Sequence, residues 1–139
     1  MKYDNIFPTG ILVHDVPVWV AKQVEKLVEE RVDKLQRPDD NAPHATDYFE
    51  KEKVIDLKYD TPELMSEIDM CVRNYQNKNA MNRIQDGYSY NWWTQDYKEG
   101  DIHNENHHNV GQISGLYYVR ANEIAGGIMF RNPNPCVEY

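Results

Sequence analysis

The sequence is poor in cysteine and in positive charge, and both shortages limit what the protein can be. Its two cysteines, Cys71 and Cys136, stand far apart and outside any CxxC pair, which is typical of reduced thiols rather than of a disulfide framework. Lysine and arginine together number 15 against 23 aspartates and glutamates, and the formal charge is −8. The chain therefore lacks the basic surface that binding to nucleic acid or to an anionic membrane requires, and neither partner is expected.

A long apolar run is also missing. No stretch approaches the ~18 apolar residues that can span a bilayer, and the opening MKYDNIFPTGILVHD lacks the pattern of a signal peptide. The expected compartment is therefore the cytoplasm. The sequence does have three Trp, ten Tyr and three Phe within an apolar fraction of 40%, which is typical of a globular protein. Its length predicts one domain over residues 1–139.

Two amphipathic helices are predicted in the first half of the chain. The first follows Asp15 and Pro17, which suit a helix start, and its apolar residues recur at intervals of three and four: Val20, Val24, Leu27, Val28, Val32 and Leu35. The second begins either with a capping box at Asp60 or with Thr61 as the cap, and it ends near residues 77–79. Between the helices, the polar, proline-containing segment 36–52 is predicted to be an exposed loop.

Short alternating or aromatic stretches predict strands, most of them in the second half of the chain. They are residues 6–14, 53–59, 88–97, 112–120 and 128–130. Helices that come first and antiparallel strands that follow indicate an α+β protein. In that arrangement both helices pack on one face of the sheet.

Three of the five histidines crowd into one polar turn. His103, His107 and His108 stand there beside the carboxylates Asp101 and Glu105. Imidazole and carboxylate suit Fe(II), Mn(II) or Zn(II), and non-haem iron oxygenases use two His and one carboxylate on one face of the metal. Adjacent residues of an extended chain point to opposite sides, so only one of His107 and His108 easily faces a given metal. A polar turn rich in His and Asn also occurs as an ordinary solvated loop, and that alternative stays open.

The strand predicted after this turn presents two different faces. Ser114, Leu116 and Tyr118 share one face, and Tyr117 and Val119 lie on the other. A Tyr beside a metal-bearing turn could donate its hydroxyl to a ligand carboxylate. The alternative is an aromatic side chain that only packs in the core or lies on the surface.

A series of landmarks runs from residue 93 to residue 133. In order they are Trp93, Gly100-Asp101 seven residues later, His108, Ser114-Gly115 six residues after that histidine, LYYV at 116–119 and GGIMFRNP at 126–133. This order and spacing resemble a family of 2-oxoglutarate/Fe(II) oxygenases found in marine bacteria and their phages. The opening IFPT at residues 6–9, followed by a helix, is also similar to that family.

The resemblance implies both a fold and an activity. The fold would be an antiparallel jelly roll, the double-stranded β-helix, with the two helices packed on one face. The activity would be that of a non-haem Fe(II)/2-oxoglutarate-dependent dioxygenase of the hydroxylase type, with Fe(II) and 2-oxoglutarate as cofactors. By the same resemblance His108 would be a metal ligand, together with His107 or Glu105. Tyr118 and Ser114 would contact the cosubstrate.

The chain departs from the family pattern in ways that keep two alternatives open. Asn106 stands where the family has its first histidine. No histidine follows His108 and no Lys or Arg follows Arg131, so the late metal ligand, the cosubstrate Arg and the C-terminal strands of the jelly roll are expected to be missing, as in the N-terminal part of such an enzyme. The first alternative is a non-catalytic, phage-type structural or binding module that a partner chain or a second copy completes; its compartment would then be the host cytoplasm. The second is a cupin-like metal protein that uses His103, Glu105 and either His107 or His108.

Overall fold

A computed structural model describes residues 10–39, 42–78, 88–106, 113–121 and 124–130 of the chain. Helix α1 spans Val18–Arg31 and runs into a 3-10 turn at Val32–Lys34. Strand β1 follows at Ala45–Thr46, helix α2 at Pro62–Lys78 and strand β2 at Gln95–Asp96. None of the helices in these ranges is long and apolar enough to cross a membrane.

The two predicted helices are confirmed, with differences at their first residues. Helix α1 begins after Pro17, and no side chain caps it, so the predicted cap at Asp15 is wrong. Helix α2 begins at Pro62, as expected when Thr61 rather than Asp60 precedes the first turn. The apolar spacing puts Val20 and Val24 of α1 on the face that meets Leu64 of α2, and all three are buried.

The segment 113–121 packs against this helical core along one of its faces. Tyr117 and Val119 are half-buried against Val20, Val24 and Leu64. Leu116 and Tyr118 point away and expose 63% and 51% of their surface. The alternation of faces is the one that the sequence predicts, although the segment is not a strand.

The predicted jelly roll is wrong for the part of the chain that the structure describes. There, the only sheet has two strands, β1 and β2, which pair antiparallel with Ala45 opposite Asp96 and Thr46 opposite Gln95. Of the five predicted strands, only 88–97 contains any of this sheet; the others are irregular wherever they are described. Residues 6–9, 112 and 131–139 lie outside the described ranges.

Side-chain hydrogen bonds explain why residues 53–59 do not extend into a strand. The Asp56 carboxylate accepts bonds from the backbone N–H groups of Lys58 at 2.9 Å and Tyr59 at 3.1 Å. Asp60 accepts the N–H of Asp56 at 2.9 Å, and its two oxygens bind the Arg31 guanidinium at 2.5 and 3.2 Å. Aspartates satisfy the backbone locally in this way and close a turn, so the amides are not available to a neighbouring strand.

The segment 36–52 is only partly the exposed loop that its composition predicts. It contains β1, and it buries His44 and Asp47, which expose 8% and 2% of their surface. Pairing with β2 produces this burial because it presses the loop against residues 92–96. Residues 36–52 show no apolar periodicity from which this burial could be predicted.

Candidate functional site

The β1–β2 pair brings loop 36–52 against the turn that leads into the histidine cluster. An ion pair fastens the turn in place, because Nη2 of Arg37 contacts both carboxylate oxygens of Asp101, at 2.8 and 2.6 Å. The same carboxylate accepts the backbone N–H of Lys98 at 2.7 Å. The hydrogen bonds from Arg37 and from that backbone N–H lower the pKa of Asp101, which therefore stays ionised at neutral pH.

The buried carboxylate of Asp47 connects loop 36–52 with the segment that contains β2. Asp47 accepts the backbone N–H of Thr94 on one oxygen and that of Val54 on the other, both at 2.7 Å. Thr46 adds a bond from its hydroxyl to the carbonyl oxygen of Thr94 at 3.0 Å. A buried carboxylate is tolerated when each oxygen has a donor, and Asp47 meets that condition.

Four polar side chains form a continuous hydrogen-bonded chain across the strand pair. Nε2 of His44 lies 3.0 Å from Nε2 of Gln95, and Oε1 of Gln95 accepts from the Tyr97 hydroxyl at 3.1 Å. The Tyr97 hydroxyl oxygen lies 2.6 Å from Nδ1 of His103. The His44 ring also stacks on the rings of Tyr97 and His103, with centroids 4.6 and 5.0 Å away.

The chain of bonds sets the protonation of its members. Burial, together with the nearby His103, lowers the pKa of His44, so this ring is neutral at pH 7. With the Gln95 amide donating to Nε2, the single proton of a neutral His44 resides on Nδ1. That Nδ1 is buried and has no hydrogen-bond partner among the described residues. The Tyr97 hydroxyl donates to Gln95, which leaves the Tyr97 oxygen to accept the Nδ1 proton of His103.

A cavity of about 310 Å³ opens beside this chain of bonds. Loop 36–52 forms one side of it, and residues from Trp93 to Asn106 form the other. Its volume lies at the lower end of the roughly 300–1,000 Å³ that is usual for small-molecule sites. The cavity is therefore large enough for a small molecule of about one ring system.

The structure places the predicted site residues unevenly. Glu105 and Ser114 are exposed, and Tyr118 lies close enough to Tyr97 to raise the pKa of that phenol, which burial already raises. His107 and His108 lie outside the described residues. The cavity contains Asn106 and His103 but not Glu105.

No set of three His, Cys, Asp or Glu side chains within the described ranges comes together as metal ligands. His103 contacts Tyr97 through Nδ1 and stacks on His44. It belongs to no group of three potential metal ligands among the described residues. The described residues by themselves therefore do not fit an iron centre, nor the cupin-like site built on His103 and Glu105. An iron site would depend on His107 and His108.

Four residues build the site although no sequence motif predicts a chemical role for them: His44, Gln95, Tyr97 and Arg37. His44 lies 51 residues from Gln95 and Arg37 lies 64 residues from Asp101, so no local pattern links them. The one predicted strand that includes any of them is the aromatic stretch 88–97, which contains Gln95 and Tyr97. Two of its residues, Trp93 and Gln95, line the cavity.

No protein-family model, no curated protein and no solved structure matches this chain. The functional assignment therefore depends on the spacing of the sequence landmarks and on the geometry of the site.

Proposed function

We propose that this chain is a non-haem Fe(II)/2-oxoglutarate-dependent dioxygenase of the hydroxylase type, or a part of one. One observation carries the proposal: the spacing of the landmarks from residue 93 to residue 133. In particular, His108 precedes Ser114 by six residues, and Tyr118 follows four residues later. The substrate remains unspecified by this spacing.

Two features of the described structure support the proposal. Burial raises the pKa of the Tyr97 phenol, and the neighbouring Tyr118 raises it further. Because Tyr97 in turn bonds His103, the two separated parts of the motif lie near each other. Asn106, the residue just before His107 and His108, borders the cavity. A ligand held in the cavity would therefore lie next to the segment that carries the candidate iron ligands.

Metal binding in this proposal rests on His107, His108 and Glu105, and the cosubstrate would contact Tyr118 and Ser114. Because the described residues contain no complete ligand set, we assign them no chemical step at a metal. Asp101 and Arg37 neutralise each other and fasten the turn, which is a positioning role.

The test is an anaerobic titration of the protein with Fe(II) in the presence of 2-oxoglutarate, followed by visible absorption. We expect a weak charge-transfer band that saturates. His108→Ala should abolish the band or weaken iron binding by roughly tenfold or more, because it removes a ligand. His14→Ala is the matched control, since His14 pairs with Glu67 at 2.8 Å and is not among the residues that line the cavity. Absence of the band, or an unchanged titration in His108→Ala, would contradict the proposal.

A second function is favoured by a separate observation, the exposure of apolar side chains in residues 124–130. Ile124, Met129 and Phe130 expose 92%, 94% and 61% of their surface. Large apolar side chains that are exposed together on one short segment are typical of an interaction site. The corresponding proposal is a non-catalytic structural or binding module that a partner chain or a second copy completes. Light scattering at micromolar concentration tests it: a stable oligomer supports it, and a monomer that binds Fe(II) tightly contradicts it.

A further inference from the structure

The cavity beside His44 has an aromatic wall on one side. Tyr48 meets Phe49 and Trp93 edge to face, with ring centroids 4.9 and 4.8 Å apart and interplanar angles of 88° in both pairs. Phe49 exposes 74% of its surface and Tyr48 exposes 44%. Large rings held at this degree of exposure offer faces and edges against which a flat ring can stack.

The rest of the lining is polar but uncharged. Thr46, Gln95 and Asn106 supply hydroxyl and amide groups, and His44 and His103 supply imidazoles. Among the described residues that line the cavity there is no Asp, Glu, Lys or Arg. Two charged groups beside the lining already have partners, since Arg37 pairs with Asp101 and Asp47 accepts two backbone N–H groups. A charged ligand would lose water there without gaining a counter-ion.

The imidazole of His44 is the buried member of the polar lining. This side chain lines the cavity and is more than nine-tenths buried. Its Nε2 is engaged by Gln95, whereas its Nδ1 has no partner within the described part of the chain. Because Nδ1 is itself inaccessible to solvent, a ligand in the cavity would reach the amide groups of Gln95 and Asn106 rather than this nitrogen.

We propose that this cavity binds an uncharged, planar heteroaromatic ring that carries a hydrogen-bond acceptor. The ring stacks in the corner formed by Tyr48, Phe49 and Trp93. Its acceptor turns toward the amide groups of Gln95 and Asn106. This inference goes beyond the proposed function: it uses none of the candidate iron ligands, and the cavity can bind such a ring in an oxygenase or in a non-catalytic module.

Three small molecules of similar size separate the features that the proposal invokes. Nicotinamide is planar, uncharged and carries acceptors; nicotinate has the same ring with a negative charge; cyclohexanecarboxamide keeps the amide and loses the flat ring. Binding to the full chain is measured by saturation-transfer NMR with a titration of each compound. We expect saturable binding of nicotinamide, and binding about tenfold weaker for the other two.

Two variants locate the binding. Phe49→Ala removes an exposed ring and should weaken nicotinamide binding by about fivefold or more, because base–aromatic stacking depends on that face. Trp19→Leu is the matched control, since Trp19 is an exposed ring on α1 that does not line the cavity, and it should leave binding unchanged. Far-UV circular dichroism confirms that each variant is folded.

Three outcomes would overturn the inference: no saturable binding of nicotinamide, equal binding of all three compounds, or equal binding by wild type and Phe49→Ala. None of them bears on the iron titration, so failure of the cavity and failure of the oxygenase chemistry are distinguishable.

Discussion

The helical region and the region after it differ in how they are held together. In the described structure, every apolar residue that is fully buried lies between residues 20 and 64: Val20, Val24, Leu35, Ile55 and Leu64. Residues 88–130 contribute no fully buried side chain within their described ranges. They pack against the helices through half-buried side chains such as Tyr117 and Val119.

The residues that stabilise the fold and those that point to a function therefore lie in different regions of the chain. The landmarks that point to a function all lie in the second region, whereas burial of apolar surface, the main favourable term in folding, is concentrated in the first. The site lies on the boundary, where β1 of the first region pairs with β2 of the second. Substitutions in the two regions should therefore have different effects, and three of them test this.

Leu64→Ala should cause the largest loss of stability. Leu64 exposes 2% of its surface between the helices, so truncation leaves a cavity and should cost about 2–5 kcal/mol of unfolding free energy. The matched variant Leu116→Ala, at a residue that exposes 63%, should change stability by less than about 0.5 kcal/mol. Urea unfolding followed by circular dichroism measures both. Similar losses in the two variants would contradict the contrast between the regions.

Asp47→Ala should have the next largest effect, because it removes a buried link between the regions. The backbone N–H groups of Thr94 and Val54 would lose their acceptor, at a cost of about 1–3 kcal/mol. The fluorescence of Trp92 and Trp93, beside Thr94, should change before the helices unfold in a urea titration. Glu52→Ala, at an exposed carboxylate in the same loop, is the control and should unfold like wild type. A single transition identical to wild type in Asp47→Ala would rule out this role.

The smallest effect concerns pH and His44. Its folded-state pKa lies below the ordinary 6.5, chiefly because of burial; His103 and Arg37 lower it further, and Asp101 opposes them. As pH falls below about 6.5, the unfolded chain takes up this proton first, so stability declines until the pH reaches the folded-state pKa. Unfolding midpoints of wild type and His44→Gln, measured from pH 7.5 to 5, should diverge at pH 7.5 and converge as the pH falls. Parallel curves would show that His44 is not buried in its neutral form.

The parts of the structure that sequence could predict are those that local interactions decide. Apolar residues at intervals of three and four predicted α1 and α2, because a helix satisfies its own backbone within each segment. Alternation also predicted which of residues 114–119 share a face, although the buried face is that of Tyr117 and Val119 and not that of Tyr118. It failed to predict strands, because a strand requires a neighbour, and at residues 53–59 the carboxylates of Asp56 and Asp60 take the backbone N–H groups instead.

The candidate site was predicted only in part for the same reason. The histidine-rich turn was visible as a cluster in sequence, but His44 reaches it only through the β1–β2 pairing. Neither Arg37 nor Gln95 stands in any motif. Contacts across 50 or more residues depend on the whole fold, and no local period encodes them.

Hydrogen exchange, read by mass spectrometry with and without Fe(II) and 2-oxoglutarate under anaerobic conditions, tests the central claim most directly. We expect peptides from α1 and α2 to be protected in both conditions. Peptides covering residues 113–121 should exchange quickly in the protein alone and slow down when both cofactors are added, because Ser114 and Tyr118 would then contact 2-oxoglutarate. Helix-like protection of residues 113–121 without cofactors would indicate a paired sheet there. That result, or exchange that the cofactors leave unchanged, would contradict the proposed contact of this segment with 2-oxoglutarate.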